Sequence, residues 1–302
     1  MSILLQTALE LGLISSLTVL ALFISYTMLN VCDLSTDGCF TLGACVGAVV
    51  ALSGHPYLSI IAAMLSGMAS GLITALLQTV FGINSLLSGI IVNTGLYSVN
   101  IAIMGGSSLL NLNRTATVFT KLKDMLKGTF LGPYDTLIIV VLFVILVIVF
   151  ISIFSATRLG LAIRATGDNI MMVRSSSIDP VKTTIIALCI ANAITGLSGC
   201  LLAQAQKSVN IDMGSGMVTV ALASLLIGRA FISKGSIPRK ASGAVIGALV
   251  FRLIYTVALR FNMPAFMLKL ISAVIVILAI AIPYLKERYP LYKRRREYLR
   301  GE

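Results

Sequence analysis

The sequence predicts an all-α polytopic membrane protein of about nine transmembrane helices, and three observations carry that prediction. Of 302 residues, 58% are hydrophobic and only 11% are charged, whereas soluble domains hold roughly 25% charged residues. Mean hydropathy is +1.00. The apolar residues also fall in runs long enough to cross a bilayer, which takes about 20 residues of helix. The net charge of +12 would point to nucleic acid only if the basic residues shared one soluble face. Most flank apolar runs instead, so no nucleic acid partner is expected.

Run length and punctuation place the spans at roughly 9–30, 35–53, 57–81, 84–104, 135–155, 183–205, 213–232, 241–260 and 264–285. The first is kept as a helix, because no lysine or arginine precedes Arg114 and a cleaved signal needs a basic start. Gly54-His55-Pro56 reads as a turn between the second and third spans. A single histidine cannot build a multi-histidine metal site, so no metal is expected. Residues 105–133, with Arg114, Lys121, Lys123 and Lys127, read as an extramembrane loop carrying a short helix. The segment 156–182 is polar, and 286–302 is a basic tail whose Lys293-Arg-Arg-Arg296 suits anionic lipid. Cys32, Cys39, Cys45, Cys189 and Cys200 lie in or beside apolar runs with no C-x-x-C pair, and read as small packing residues.

Charge sets the orientation. The segments 156–182, 229–240 and 286–302 hold four, four and seven basic residues, fifteen in all, against six in 105–133, Lys207 and Arg260. The fifteen belong in the cytoplasm. Nine crossings then put the N-terminus outside and the C-terminus inside. Arg252 falls in mid-span, where an uncompensated charge costs at least about 2.5 kcal/mol, so it should face the interior or a partner. Lys269 lies nearer an end and can snorkel.

The order of marks repeats. Asn30-Val-Cys-Asp33 with Gly38 is similar to Val209-Asn-Ile-Asp212 with Gly216, and Ser66-Gly67-x-x-x-Gly71 matches Ser242-Gly243-x-x-x-Gly247. Between crossings of opposite direction, this makes 9–104 and 183–285 inverted halves of one transmembrane domain, 1–302. The alternative is chance similarity between glycine-rich apolar segments. The glycine steps themselves read as close helix packing.

Within 156–182, a helix can end at Gly167 and another start with Asp168 or Asn169 as its cap. The second would present Ile170, Met171, Met172 and Val173, a knob too short to span and too apolar to leave in water. Such a knob fills a partner's groove or packs back on its own helices.

The pattern G-x-A-x-R-A-x-G-x-N from Gly160, with a following Ile-Asp, resembles the coupling segment of ABC-importer permeases of the branched-chain amino acid and ribose type. Asp33-Leu-Ser-Thr-Asp-Gly-Cys-Phe-Thr-Leu-Gly43 resembles the same superfamily's early D-x-(S/T)-x-(D/E)-G-x-F-x-x-G-A motif, and Gly105-Gly106 also fits. The likeness covers nearly the whole chain and is strongest to the single-permease group linked to amino-acid uptake of the tryptophan or tyrosine kind. It implies a type II-like ABC permease in a bacterial cell membrane. Its implied partners are a second permease copy, two cytoplasmic ATP-binding subunits that hold ATP and Mg, and an extracytoplasmic substrate-binding protein. Gly160, Arg164, Gly167, Asp168 and Asn169 would shape the coupling element, with Met171 and Met172 in its knob and Arg174 reaching the ATPase. Ser177 stands where the superfamily usually has glycine, and the EAA signature of other importers is absent.

For the path, Gly89, Asn93, Tyr97 and Asn100 share one helical face. Amides in lipid need partners, so this face should point inward, either lining a solute path or bonding helix to helix. Asn192 and Gln204 are similar but isolated. Asp33 and Asp212 precede apolar helices and read as N-caps; helices starting near the path would aim their positive ends at a carboxylate solute. The chain has no G-x-x-x-x-G-K-(S/T) and no nucleophile–base pair, so it is expected to be no enzyme. A gradient-driven carrier with the same inverted repeat is the rival reading. It needs an acidic residue in mid-span, and none stands there; Glu10 lies near one end.

Overall fold

The computed structural model describes residues 3–113, 115–121, 135–232, 235–260, 270, 273–278 and 281. Helix α1 (Ile3–Leu22) runs on into a π-helical turn, Phe23–Met28. Helices α2 (Thr36–Leu52), α3 (Pro56–Thr79) and α4 (Ser85–Ile103) follow, then α5 (Asp135–Ala156). Two short helices, α6 (Arg158–Asp168) and α7 (Ile170–Ser175), precede α8 (Pro180–Gln206), α9 (Met217–Phe231) and α10 (Ile237–Arg260). Six of these are long and apolar enough to cross a membrane: α1 with its π turn, α3, α4, α5, α8 and α10. The expected ninth span, 264–285, falls mostly outside the described residues, as do Lys269 and the basic tail.

Two expectations change. The chain is not purely helical, because β1 (Leu109–Asn111) pairs antiparallel with β2 (Ser208–Asn210). This ladder stitches the 105–121 segment to the end of α8. The span expected from 213 begins only at Met217, because Lys207 to Gly216 is used by the strand and by turns. With 17 and 15 residues, α2 and α9 rise only about 25 and 22 Å, short of a hydrocarbon core of about 30 Å.

Local chemistry explains where the helices start. Gly54 takes a left-handed φ of 91° and hands the chain to Pro56 at the first position of α3. Asn84 caps α4 by accepting from the Leu86 N–H at 2.9 Å, and Asp179 caps α8 by accepting from Val181 N–H at 2.9 Å.

Helix α8 is the hub: it packs on α3, α2 and α1, while α1 crosses over to α10 and α9 packs on α10. Lipid offers no hydrophobic drive between helices, so close backbone approach has to hold them. A Cβ on Gly43 would overlap the Gly196 backbone, and one on Gly199 would overlap the Phe40 carbonyl. Both paired glycine steps are used as expected. Gly67 and Gly71 admit the Asn192 and Leu188 carbonyls of α8, and Gly247 admits the Ser224 carbonyl of α9. Hydrogen bonds reinforce the seams: Thr18 Oγ1 donates to Ser198 Oγ at 2.9 Å, and Ser198 Oγ to the Ile14 carbonyl at 2.8 Å. Gln204 is not isolated. Its Nε2 donates to Ser59 Oγ at 2.7 Å, and its Oε1 accepts from Val118 N–H at 2.9 Å.

Replacing Gly43 by valine forces α2 off α8 and should cost at least about 1–3 kcal/mol, the usual scale of overpacking. A fall in the thermal midpoint of the detergent-purified protein, with Gly95→Val as the tolerated control in open space, checks this.

Candidate functional site

The two short helices expected within 156–182 form much as the sequence proposes. Thr157 Oγ1 accepts from the Gly160 N–H at 3.2 Å and starts α6. That helix ends at Asp168, one residue past Gly167, and Asn169 caps α7 by accepting from the N–H groups of Met171 and Met172 at 3.0 and 3.1 Å. Each glycine has a steric reason. A Cβ on Gly160 would overlap the Phe154 carbonyl at the α5–α6 corner, and one on Gly167 would overlap the Met28 carbonyl at the end of the π turn. Ile163 and Val173 are fully buried and anchor the two helices, and the Thr166 and Thr183 hydroxyls meet at 2.9 Å, tying α6 to α8. The rest points away. Arg164, Asp168, Asn169 and Arg174 are exposed, and Met171 is 74% and Met172 53% exposed. Ser177 adopts φ of 58°, so a serine holds the left-handed bend that glycine adopts more readily.

The path candidates divide into two groups. Asp33 and Asn192 meet in the interior, each only 1% exposed. Asn192 Nδ2 donates to Asp33 Oδ2 at 2.7 Å, while Asp33 Oδ1 accepts from Ser35 N–H at 2.8 Å and Ser35 Oγ at 2.6 Å. Three donors thus offset the cost of burying the carboxylate. Asp33 serves the entry turn, but the residue flanking α2 is Ser35.

Asp212 is not a cap either. It is exposed on the turn before α9, whose flanking residue is Gly216. The carboxylate that caps α9 comes from α2: Asp37 Oδ2 accepts from Gly216 N–H at 2.9 Å and Oδ1 from Val218 N–H at 2.8 Å. Thr41 Oγ1 accepts from Gly214 N–H at 3.2 Å, and a Cβ on Gly214 would overlap the Asp37 carbonyl. The starts of the two short helices therefore meet.

Beside this junction lies a cavity of about 320 Å³ between α2, α4 and the turn before α9. Asn93, Tyr97, Asn100 and Asp212 all line it, together with Asp37. The α4 face both borders this cavity and bonds to its neighbours. Gly89 packs on the Leu34 backbone, and Asn100 Nδ2 donates to the Gly38 carbonyl at 3.2 Å, whereas Tyr97 is 51% exposed toward open space. A second cavity of about 510 Å³ is lined by α1, α8, α9 and α10 residues and holds Arg252, with its guanidinium 5.2 Å from the Tyr255 ring centre. The mid-span charge thus faces inward, as its cost requires. All five cysteines are free. Burial, then the Asp33 carboxylate, push the Cys32 thiol above its ordinary range.

The family described as the permease component of branched-chain amino acid transport systems matches residues 4–280. The chain belongs to that family. This permease is 31% identical over 271 residues, 89% of its own length and 88% of the relative's, to a tyrosine transport system permease protein of Clostridioides difficile (strain R20291). It is 29% identical over 279 residues, 91% of its length and 96% of the relative's, to an uncharacterised protein of Rickettsia prowazekii (strain Madrid E). No solved structure matches it. The permease is accordingly a multi-pass protein of the cytoplasmic membrane and the permease component of an ABC-type transport system.

Asp37 is the site residue that the candidate set lacks, although the early motif contains it. Replacing Asp37 by alanine strands the Gly216 and Val218 N–H groups and should cost about 1–3 kcal/mol, the penalty of buried unpaired donors. Thermal unfolding of the purified permease should show the loss, with Asp37→Asn retaining part of the stability through its one remaining acceptor oxygen.

Proposed function

We propose that this permease carries an amino acid inward, driven by ATP that separate subunits bind with Mg and hydrolyse. Two permease copies, a homodimer, would enclose the path; two cytoplasmic ATPases would dock on their α6–α7 elements; an extracytoplasmic binding protein would deliver the solute. The choice of an amino acid rests on the family description and on the relative named for tyrosine transport.

The observation that carries the reading is the two-sidedness of the α6–α7 element. One side is locked to the bundle by Gly167 on the π turn, by Val173 and by the Thr166–Thr183 contact. The other offers Ile170, Met171 and Met172 to a groove, with Arg164 and Arg174 exposed on the same two helices. Methionine suits such a groove because its side chain is flexible and polarisable. A push on this lever would bear on Met28, at the end of α1. From there the chain runs through Asp33 into α2, whose Asp37 holds the start of α9. One lever would therefore act on both short helices. The exchanged packing supports an inverted repeat, since α8 of one half packs on α3 of the other while α1 crosses to α10.

A gradient-driven carrier has less support. Asp33 is the fully buried carboxylate among the described residues, and three donors already engage it.

Two measurements test the proposal. Burying a methionine contributes about 1.5–3 kcal/mol, so Met171→Ser with Met172→Ser should weaken ATPase co-purification at least about tenfold while membrane insertion is unchanged. Equal co-purification overturns the lever. Asn93→Leu should lower tyrosine uptake with assembly intact, and unchanged uptake assigns that residue to packing.

A further inference from the structure

We propose that the cavity between α2, α4 and the turn before α9 is a subsite for the ammonium group of the solute, an assignment that rests on amino-acid import. Helix starts normally attract anions, because their free N–H groups and dipole are positive. Here the chain's own carboxylates already occupy them. Asp37 takes the Gly216 and Val218 N–H groups of α9, and Asp33 takes the Ser35 N–H at the entry to α2. A solute carboxylate finds the start of α9 taken and a carboxylate already seated at the entry to α2.

What the cavity keeps is acceptors. Asn100 is 1% exposed, spends its Nδ2 on the Gly38 carbonyl, and leaves its Oδ1 buried without a hydrogen-bond partner. A buried acceptor without a donor is rare in folded proteins and asks for one. Asp212 adds a carboxylate on the facing turn, and Asn93, Tyr97 and Ser215 add further oxygens. No lysine, arginine or histidine lines the cavity among the described residues. Arg252 lies in the neighbouring cavity, and the two share only Ser215 as a lining residue. An ammonium group brings three donors and no acceptor, the complement of this set. Asn100 and Asp212 would hold it from opposite sides, with the Asp37 charge behind.

Thiol labelling tests this apart from transport. Thr94 lines the cavity and is exposed, so Thr94→Cys in lipid nanodiscs serves as reporter. Ser215→Cys is the second reporter, should the first fail to assemble, and the native chain measures background from its five cysteines. A cationic methanethiosulfonate (trimethylammonium-ethyl) should outpace the anionic sulfonato-ethyl reagent by at least about tenfold beyond their ratio on free cysteine, the concentration effect of a one-signed cleft. Asp212→Asn should remove most of that preference. Tyramine, which keeps the ammonium and lacks the carboxylate, should slow labelling; 3-(4-hydroxyphenyl)propionate should not. A ratio equal to that of free cysteine overturns the subsite, as does protection by the propionate alone or by neither compound. Protection by sodium or magnesium equal to that by tyramine overturns it in favour of an inorganic cation. Uptake of a panel of radiolabelled amino acids by the native system separates the two readings: uptake without cation preference sinks the subsite alone, and cation preference without uptake of any of them sinks the amino-acid import on which it rests.

Discussion

Every backbone N–H at a helix start inside a bilayer must find an acceptor, because no water is there to supply one. This constraint weighs on α2 and α9, the two helices too short to reach across the membrane by themselves. Asp33 and Asp37 meet it. Asp33 receives the entry turn of α2 and is steadied by Asn192 of α8. Asp37 reaches from α2 to close the start of α9. The caps are thus shared between distant parts of the chain, and α2, α8 and α9 become one unit.

That unit sets the demands on its neighbours. Carboxylate and amide groups can meet at 2.7–2.9 Å only if the helix axes come close, and the axes come close because Gly43, Gly196 and Gly199 carry no side chains. Polar satisfaction and small-residue packing depend on each other here. The same junction bounds the polar cavity, so the group that holds the fold together also gives the cavity its negative lining. At the other end of the chain of contacts, the α6–α7 element bears on the π turn that leads into Asp33. The proposed mechanical input and the proposed solute contact are therefore separated in space and linked through α1 and α2.

The coupling element was legible residue by residue because its interactions are local. Asn169 bonds to N–H groups two and three residues on, and Gly160 and Gly167 stand where tight corners exclude a side chain. The α4 face was legible from helical spacing, though spacing cannot say which side of that face meets protein and which meets space. Asp212 was misread for a clear reason. Its sequence context is similar to that of Asp33, but the start of α9 is closed by Asp37, 179 and 181 residues away in sequence. Three-residue strands such as β1 and β2 are too short to leave an alternating pattern.

Composition and run length by themselves determined a helical membrane protein, because an apolar run of membrane length has few other stable homes. Local punctuation determined the α6–α7 element, because caps and left-handed turns act within a few residues. Which carboxylate closes which helix, which asparagine keeps an empty acceptor, and which polar faces gather around one cavity were decided only by tertiary structure. Those outcomes depend on helix axes brought together across 62 to 181 residues, and a distance in space is not written in a spacing along the chain.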